Sequence, residues 1–271
     1  MNIVKASGQR EPFNEEKIRD SLRKINLDES DIDYTILRVK RRIRPGITSG
    51  QILKMILSML QDKGLHYSAR YNLKRAMIDL GPTGYPFEIF FSKLLKEYGY
   101  NTEVSKIVKG HCANQEIDII AIKDSKHYMV ECKFHNTFGA KSDLKVALYT
   151  YARFLDVKEA WEKKETSLDK IHQAMLVTNT RCSADAIQFA ECRGIKIICW
   201  QYPQKENLEN LIEGKGLYPI TILPSLNKQA KNALFKEGIM LARELVGLDY
   251  SKIDLPKDKI VQLQNEVGLI I

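Results

Sequence analysis

The chain has few cysteines and no long apolar run. Its five cysteines, at positions 112, 132, 182, 192 and 199, include no CxxC pair, and this pattern predicts reduced cytoplasmic thiols and argues against a zinc site. No apolar stretch reaches the roughly 18 residues of a membrane span, and the first residues lack the apolar core of a signal peptide. We therefore expect a cytoplasmic protein without a membrane partner.

Positive charge is in excess and unevenly distributed. The net charge is +8 and the isoelectric point about 9.1, which suits a polyanionic partner such as DNA. Residues 1–80 hold 16 Lys and Arg against 10 Asp and Glu, so most of the excess lies there. The run RVKRRIR (38–44) is its densest part. It indicates either a solvated helix end or a track for DNA phosphates.

The length and the turn residues predict three parts. A chain of 271 residues with 44% hydrophobic residues has room for two or three globular domains. The segment GPTGYP (81–86), with two Gly and two Pro, is the clearest boundary. Residues 1–82 are predicted to form a short β-hairpin plus helices, 83–203 an α/β domain with a mixed sheet flanked by helices, and 204–271 a mostly helical subdomain.

Two neighbouring strands of the predicted sheet carry charged residues in their interiors. Asp118 lies in EIDIIA, where Asp is unusual for a strand, and Glu131 and Lys133 lie in YMVECKF. Because side chains alternate along a strand, Glu131 and Lys133 point to one face. If the strands pair about the polar turn KDSKH, Asp118 falls opposite Glu131 or Cys132. The pattern predicts two carboxylates and a lysine at one place.

This combination suits phosphodiester chemistry. Two close carboxylates repel, and a hard divalent cation such as Mg²⁺ or Mn²⁺ relieves the repulsion. A neighbouring ammonium group, here Lys133, can orient a water or stabilise charge on a phosphate. Glu88, on the apolar side of a helix predicted over 84–98, is a third candidate acid. The alternatives are an exposed cross-strand charge pair for Glu131 and Lys133, an exposed edge position for Glu88, and for Asp118 a strand-end position that caps a loop.

The order of these elements resembles the Mrr-type restriction endonucleases of the PD-(D/E)xK nuclease superfamily. The resemblance rests on GYPFEIFFSKLLKEYGY, EIDIIA, VECK and MLVTNTRCSADAIQFAECRGIKIICW, within residues 84–200. It implies DNA cleavage with Asp118, Glu131 and Glu88 as metal ligands and with Lys133 as a catalytic residue. The chain has ExK where many Mrr-type domains have QxK, and Glu is the better metal ligand.

Residues 1–80 resemble a second family, the ATP-cone, a small nucleotide-binding regulatory domain. The resemblance rests on VKASGQREPFNEEKI (4–18), ITSGQI (47–52) and ARYNLKRA (69–76). It implies an ATP or dATP effector and contacts from lysines to phosphates and from polar groups to base or ribose. No Walker A loop is present, so ATP hydrolysis is not expected. The positions that match the family's nucleotide contacts are Lys5, Glu11, Asn14 and Lys17, and Thr48 or Ser49, at a predicted helix N-terminus, is placed to meet a phosphate.

Two further segments carry predictions. A long helix is predicted over 143–165, with Tyr149, Tyr151, Phe154 and Trp161 as core residues. Residues 226–248 have helix–Gly–helix spacing about Gly238, which fits either a helix-hairpin-helix DNA-binding segment or a plain packing or dimerising element.

The sequence as a whole predicts a metal-dependent DNA endonuclease of restriction type that a nucleotide effector regulates. Two alternatives remain open: a nucleotide-responsive DNA-binding regulator whose nuclease fold is inactive, and a DNA-repair or junction nuclease. Because a chain with one site cuts one strand at a time, double-strand cleavage predicts a homodimer or higher oligomer.

Overall fold

The computed structural model describes residues 1–5, 8–163 and 170–271. Chain contacts divide it into two compact units. The first comprises residues 1–77, 220–233 and 242–271, and the second comprises residues 78–219 and 234–241. The segment 204–271, which the sequence predicts as a subdomain of its own, is thus shared between the two units.

The first unit begins with a small antiparallel hairpin followed by helices. The hairpin pairs β1 (Asn2–Val4) with β2 (Arg10–Pro12). The helices are α1 (Glu15–Lys24), α2 (Glu29–Arg42), α3 (Ser49–Lys63), α4 (Leu65–Tyr71) and α5 (Leu73–Ile78). Asn72 separates α4 from α5 and so breaks what would otherwise be one helical segment.

Local chemistry fixes where these helices begin. Asn14 caps α1, because its side chain accepts a hydrogen bond of 3.1 Å from the backbone N–H of Lys17. Thr48 and Gln51 form a capping box at the start of α3. The apolar faces of the helices then meet in one core, to which Leu22, Ile32, Ile36, Val39, Ile56 and Leu60 belong.

The second unit is built on a five-stranded mixed sheet. The strands of this unit are β3 (Asn101–Lys109), β4 (Asn114–Lys123), β5 (Lys126–Lys133), β6 (Lys141–Ser142), β7 (Ile171–Thr178), β8 (Arg181–Cys182) and β9 (Lys196–Ile198). The strand order of the sheet is β3-β4-β5-β7-β9, in which β3, β4 and β5 are antiparallel neighbours and β5, β7 and β9 run parallel. A short parallel pair, β6 with β8, lies outside it.

A tight turn sets the register of the hairpin between β4 and β5. Lys123 pairs with Lys126, and the two residues between them, Asp124 and Ser125, have φ angles of 50° and 60°. Two successive positive φ values are those of a type I′ turn, whose twist matches that of the strands. The predicted hairpin is confirmed, and its register determines which residues of β4 face which residues of β5.

Helices cover both faces of this sheet. α6 (Tyr85–Glu97) lies on one face, where the ring of Phe87 packs 5.9 Å from that of Phe134, centroid to centroid. α7 (Leu144–Glu162) and α8 (Ala184–Cys192) lie on the other, packed against side chains such as Met129 and Leu176. The predicted class, an α/β restriction-endonuclease-like fold, is confirmed. The last two residues of the predicted helix 143–165 lie outside the described part.

Residues 204–271 contribute further helices to the two units. They are α9 (Leu208–Glu213), α10 (Lys228–Lys236) and α11 (Lys257–Ile270). In the first unit α11 packs against α4, and Glu266 accepts a hydrogen bond of 2.8 Å from the Ser225 hydroxyl. Gly238 has a φ of 70° and ends the turn after α10, as a C-terminal glycine does. A four-residue 3-10 turn at Ala242–Leu245 follows where the helix–Gly–helix pattern predicts a second helix.

The cysteines depart from prediction. Cys182 and Cys199 form a disulfide, with Cα atoms 6.3 Å apart, so the expectation of reduced thiols is wrong for this pair. The fold brings the two cysteines together because the chain segments beside them are hydrogen-bonded to each other. The N–H of Trp200 donates to the carbonyl of Thr180 at 2.8 Å. Cys112, Cys132 and Cys192 are free. Among the described residues, no helix is both long and apolar enough to cross a membrane.

Candidate active site

An opening between β4 and β5 holds the first candidate residue. The last backbone pair between these strands is Ile119 with Val130, and beyond it the strands no longer pair. Asp118 is the next residue of β4 on the side away from the turn, and its Oδ2 accepts a hydrogen bond of 2.7 Å from the backbone N–H of Cys132. The Asp118 side chain thereby takes the place of a backbone hydrogen bond between the two strands at this point. Burial raises the pKa of Asp118, although the hydrogen bond from Cys132 and the charge of Arg153 act against it.

Glu131 lies on the α7 side of the sheet and is 8% exposed. Its Oε2 accepts a hydrogen bond from Arg153, and Tyr149 hydrogen-bonds to the same carboxylate. Burial, and then the charge of Asp118, raise the pKa of Glu131 to about 7 against the pull of Arg153. The carboxylate is therefore held by two side chains of one helix.

Tyr149 corrects a prediction from the sequence. It was expected in the helix core, but its side chain is 36% exposed and contacts Glu131. Phe154 is buried, and Tyr151 and Trp161 pack partly buried against the core of the sheet, as expected. Tyr149 and Arg153 are four residues apart on α7, so they project from the same side of the helix.

Glu88 reaches the same region from the first turn of α6. Its carboxylate is hydrogen-bonded by Ser105 of β3. Burial raises the pKa of Glu88 to about 7, and the charges of Asp118, Glu116 and Glu131 add to the effect. Three elements, α6, β4 and β5, thus bring a carboxylate each into one field of negative charge.

Ser105 has an unusual backbone for a strand residue. Its φ is 52°, and it is the position skipped between the pairs Val104–Ile119 and Lys106–Ile117. It consequently lies across from Asp118. A left-handed non-glycine residue inside a strand costs free energy and tends to occur at functional positions. No signal in the sequence marks Ser105, because its role depends on the register and on α6.

Lys133 completes the set. It lies with Glu131, Tyr149 and Arg153 around an open cleft of about 610 Å³ on the α7 side of the sheet. Gln115, at the start of β4, is also in the wall and donates to Asp156 of α7 at 2.7 Å. Two cations, Lys133 and Arg153, therefore stand beside the Glu131 carboxylate in one cleft, an arrangement that can hold a phosphate group.

The donor chemistry fits a hard divalent metal only in part. Asp118 and Glu131 supply carboxylate oxygens, and Mg²⁺ is commonly held by one or two carboxylates while it keeps several waters. Among the described residues, however, no three His, Cys, Asp or Glu side chains stand close enough to form a complete metal site. The metal set of Asp118, Glu131 and Glu88 stays a prediction.

The residues predicted to bind a nucleotide converge in the first unit. Glu11, Asn14 and Lys17 line a cavity of about 160 Å³, together with Ser49 and apolar side chains. Lys5 reaches it indirectly, through an ion pair of 2.6 Å with Glu11. Thr48 is next to Ser49 but does not line the cavity, since its hydroxyl caps α3. Two residues of the quoted motif, 6 and 7, lie outside the described ranges.

The sheet, its flanking helices and the cluster of carboxylates with Lys133 define a class, that of restriction-endonuclease-like domains. The family model for a restriction endonuclease domain matches residues 82–204, and the model for an ATP cone domain matches residues 1–76. Both resemblances inferred from the sequence are thereby confirmed. A third model, "AF1548-like, C-terminal", matches residues 218–271.

Individual relatives define the family of the chain more specifically than the domain models do. An uncharacterised protein of Archaeoglobus fulgidus is 43% identical over 162 residues, which are 60% of this chain and 87% of that protein. A solved structure, "Crystal Structure of Protein of Unknown Function AF1548", has a TM-score of 0.60 and 38% identity, covering 69% of this chain and 99% of that one. The chain belongs to the family of this A. fulgidus protein.

Proposed function

We propose that this protein is a metal-dependent DNA endonuclease whose activity is set by a nucleotide bound to the first unit. The supporting observation is that Asp118, Glu131 and Glu88, of which Glu131 is buried and the other two are partly buried, form a mutually repelling group with Lys133 nearby. Such a group costs stability in the folded protein, and clusters of this kind occur preferentially at functional sites. The family match to a restriction endonuclease domain supports the same reading.

Each side chain has a role that its position allows. Asp118 and Glu131 hold the metal, Mg²⁺ or Mn²⁺, which supplies Lewis-acid activation of a phosphodiester when bound. Lys133 orients the attacking water and stabilises charge on the phosphate. Glu88, hydrogen-bonded by Ser105, holds water or a second metal. DNA is the substrate class, and restriction of foreign or modified DNA is the setting that the family match suggests.

The regulatory part of the proposal rests on the first unit. Its cavity of about 160 Å³ is smaller than the roughly 300–1,000 Å³ of most ligand pockets, so it would enclose only part of a nucleotide. Lys5 and Lys17, both paired with Glu11, are the cations available for phosphates. Binding of ATP or dATP would change the contacts of these residues, and a difference in affinity between two states of the protein would couple it to cleavage. A homodimer or higher oligomer is expected to cut both strands.

One observation favours a second candidate. Arg153 already neutralises Glu131, and removal of a carboxylate from metal binding is what an inactive nuclease fold would show. In that case the protein is a nucleotide-responsive DNA-binding regulator. The two candidates differ in a single property, whether phosphodiester bonds are cut.

A cleavage assay separates them. Purified protein is incubated with matched methylated and unmethylated plasmids, in Mg²⁺ or in EDTA, beside Asp118→Asn. Asp124→Asn, a change in the exposed β4–β5 turn, is the matched control. Metal-dependent nicking or linearisation by the wild type and the control, but not by Asp118→Asn, is expected. DNA retention in a gel shift with no cleavage under any condition would favour the regulator.

The nucleotide arm uses the same plasmids. Cleavage rate and oligomeric state are measured with ATP, dATP, ADP or no nucleotide, for the wild type and for Lys17→Ala. We expect one nucleotide to change the rate and the variant to respond less. Equal rates and unchanged assembly in all four conditions would contradict the regulatory part of the proposal but not the nuclease part.

A further inference from the structure

A second cavity of the nuclease unit lies apart from the candidate active site. Its volume is about 310 Å³, and it is walled by the C-terminal end of α6, the ends of β4 and β9, and α9. Met175 of β7 lines it, whereas its neighbours Ala174 and Leu176 pack into the α7–α8 core. The cavity is therefore on the α6 face of the sheet, opposite the face that carries the Glu131 cleft.

Distance along the chain separates the two sites as well. Lys123, at the rim of the cavity, is five positions beyond Asp118 on β4. At about 3.4 Å per residue their Cα atoms are roughly 17 Å apart. A ligand in this cavity would not touch the carboxylates.

Cations dominate its polar lining. Three lysines, Lys123, Lys196 and Lys205, accompany one carboxylate, that of Glu206. Lys196 forms an ion pair of 3.4 Å with Glu206. Lys205 is exposed, and it has no ion pair among the described residues. The cavity therefore has an excess of positive charge and favours an anion.

The remaining lining is apolar and aromatic. Leu94, Leu95 and Ile198 are buried and form an apolar base. Tyr98 and Tyr100 form a wall, and Lys123 lies 5.0 Å from the centroid of the Tyr100 ring while its Nζ donates 2.8 Å to the Tyr98 carbonyl. The Tyr98 hydroxyl in turn donates to the carbonyl of Leu211 at 2.9 Å, which ties α6 to α9. The wall is thus built from fixed side chains.

We propose that this cavity binds a small organic anion that carries a flat ring and a phosphate or carboxylate, of the size of a nucleoside monophosphate. Its volume is near the lower end of the roughly 300–1,000 Å³ of ligand pockets, and an apolar base with a few convergent charged groups is typical of them. The ring would pack on the tyrosine wall and the apolar base, and the anionic group would meet Lys196 and Lys205. This site is distinct from the nucleotide cavity of the first unit and does not depend on nuclease activity.

Calorimetry with AMP as the probe tests the assignment on the full-length protein. Adenosine and inorganic phosphate serve as the ring alone and the charge alone. AMP should bind more tightly than either, and Lys196→Gln and Lys205→Glu should each weaken it about tenfold, the loss expected for one charge-assisted contact. Lys126→Gln, an exposed lysine of the same unit outside the cavity, should leave AMP binding unchanged.

Several results would overturn the proposal. AMP affinity that is insensitive to Lys196→Gln and Lys205→Glu, or lost with Lys17→Ala, would place the ligand elsewhere. If adenosine or phosphate binds as tightly as AMP, or if no probe gives a heat of binding, the proposed class of ligand is wrong. Circular dichroism of each variant, matching the wild type, shows that a lost affinity is not lost folding.

Discussion

The two units use charge in opposite ways. In the first unit, carboxylates are matched to arginines and lysines at the surface: Arg23 bonds Glu16 and Glu29, and Arg19 bonds Asp33. In the second, carboxylates are gathered where burial raises their pKa values. Exposed pairs contribute little to stability or function, whereas a buried excess of one sign is costly and requires a partner. The comparison indicates that burial and an excess of one sign of charge, and not the number of charged residues, distinguish the candidate site from the rest of the surface.

The largest expected effect is catalytic. Lys133→Met removes the ammonium group but keeps the length of the side chain, and the cleavage rate should fall by about 10²–10³-fold. Metal affinity, measured by calorimetry, should remain, because Lys133 is not a ligand. Lys126→Met, at the exposed start of the same strand, is the control. A rate unchanged by Lys133→Met would contradict the role of this lysine.

The next effect sets the two kinds of ion pair against each other. Arg153→Ala leaves the buried Glu131 without its cation, and the free energy of unfolding should fall by about 3 kcal/mol at pH 8. Arg23→Ala breaks exposed pairs in the first unit and should cost far less, because water and salt screen those charges. Urea denaturation of both variants measures the difference. Equal losses would mean that the buried pair contributes no more to stability than the exposed pairs, contrary to the comparison between the two units.

A smaller effect depends on pH. The carboxyl of Glu88 has its pKa raised from 4.5 to about 7 in the folded protein. Between these values the folded state binds more protons than the unfolded state, so this group's contribution to stability falls as pH rises through the window. Glu88→Gln should therefore raise the free energy of unfolding at pH 8 by about 1–2 kcal/mol, after a discount for partial exposure.

The measurement for Glu88 is denaturation in EDTA at pH 5 and at pH 8. The gain from Glu88→Gln should be small at pH 5, where the folded carboxyl is protonated, and larger at pH 8. The same gain at both values would mean that the substitution acts through packing and not through charge.

The smallest effect concerns a helix cap in the first unit. Thr48→Ala removes the side-chain acceptor at the start of α3 and should lower the free energy of unfolding by about 1 kcal/mol. Thr48→Ser keeps the acceptor and should cost less. Denaturation with and without ATP measures both. A loss of ATP affinity in Thr48→Ala that Thr48→Ser restores would support the predicted nucleotide contact as well as the cap.

Local pattern was enough for much of the fold. The β4–β5 hairpin follows from alternation and a polar turn, and Asn14, Thr48 and Ser183, residue types that favour N-caps, are found at helix starts. The order of elements in 84–200 indicated the nuclease class. This order can be predicted from the sequence because each helix or strand has a local pattern that spans only a few residues. The predicted neighbours Asp118 and Glu131 flank the opening between two strands of one hairpin, whose register a two-residue turn determines.

Only the tertiary structure decided which groups complete the site. Arg153 and Tyr149 meet Glu131 because α7 packs across the sheet, and no local pattern encodes a contact between residues 22 positions apart. The same holds for Ser105 beside Glu88, for the Cys182–Cys199 disulfide and for the joining of residues 220–233 and 242–271 to the first unit. The sequence by itself determined the residue types and the local elements that present them. The partners of each charge depend on packing between distant segments, and packing therefore decides how much each charge is buried and perturbed.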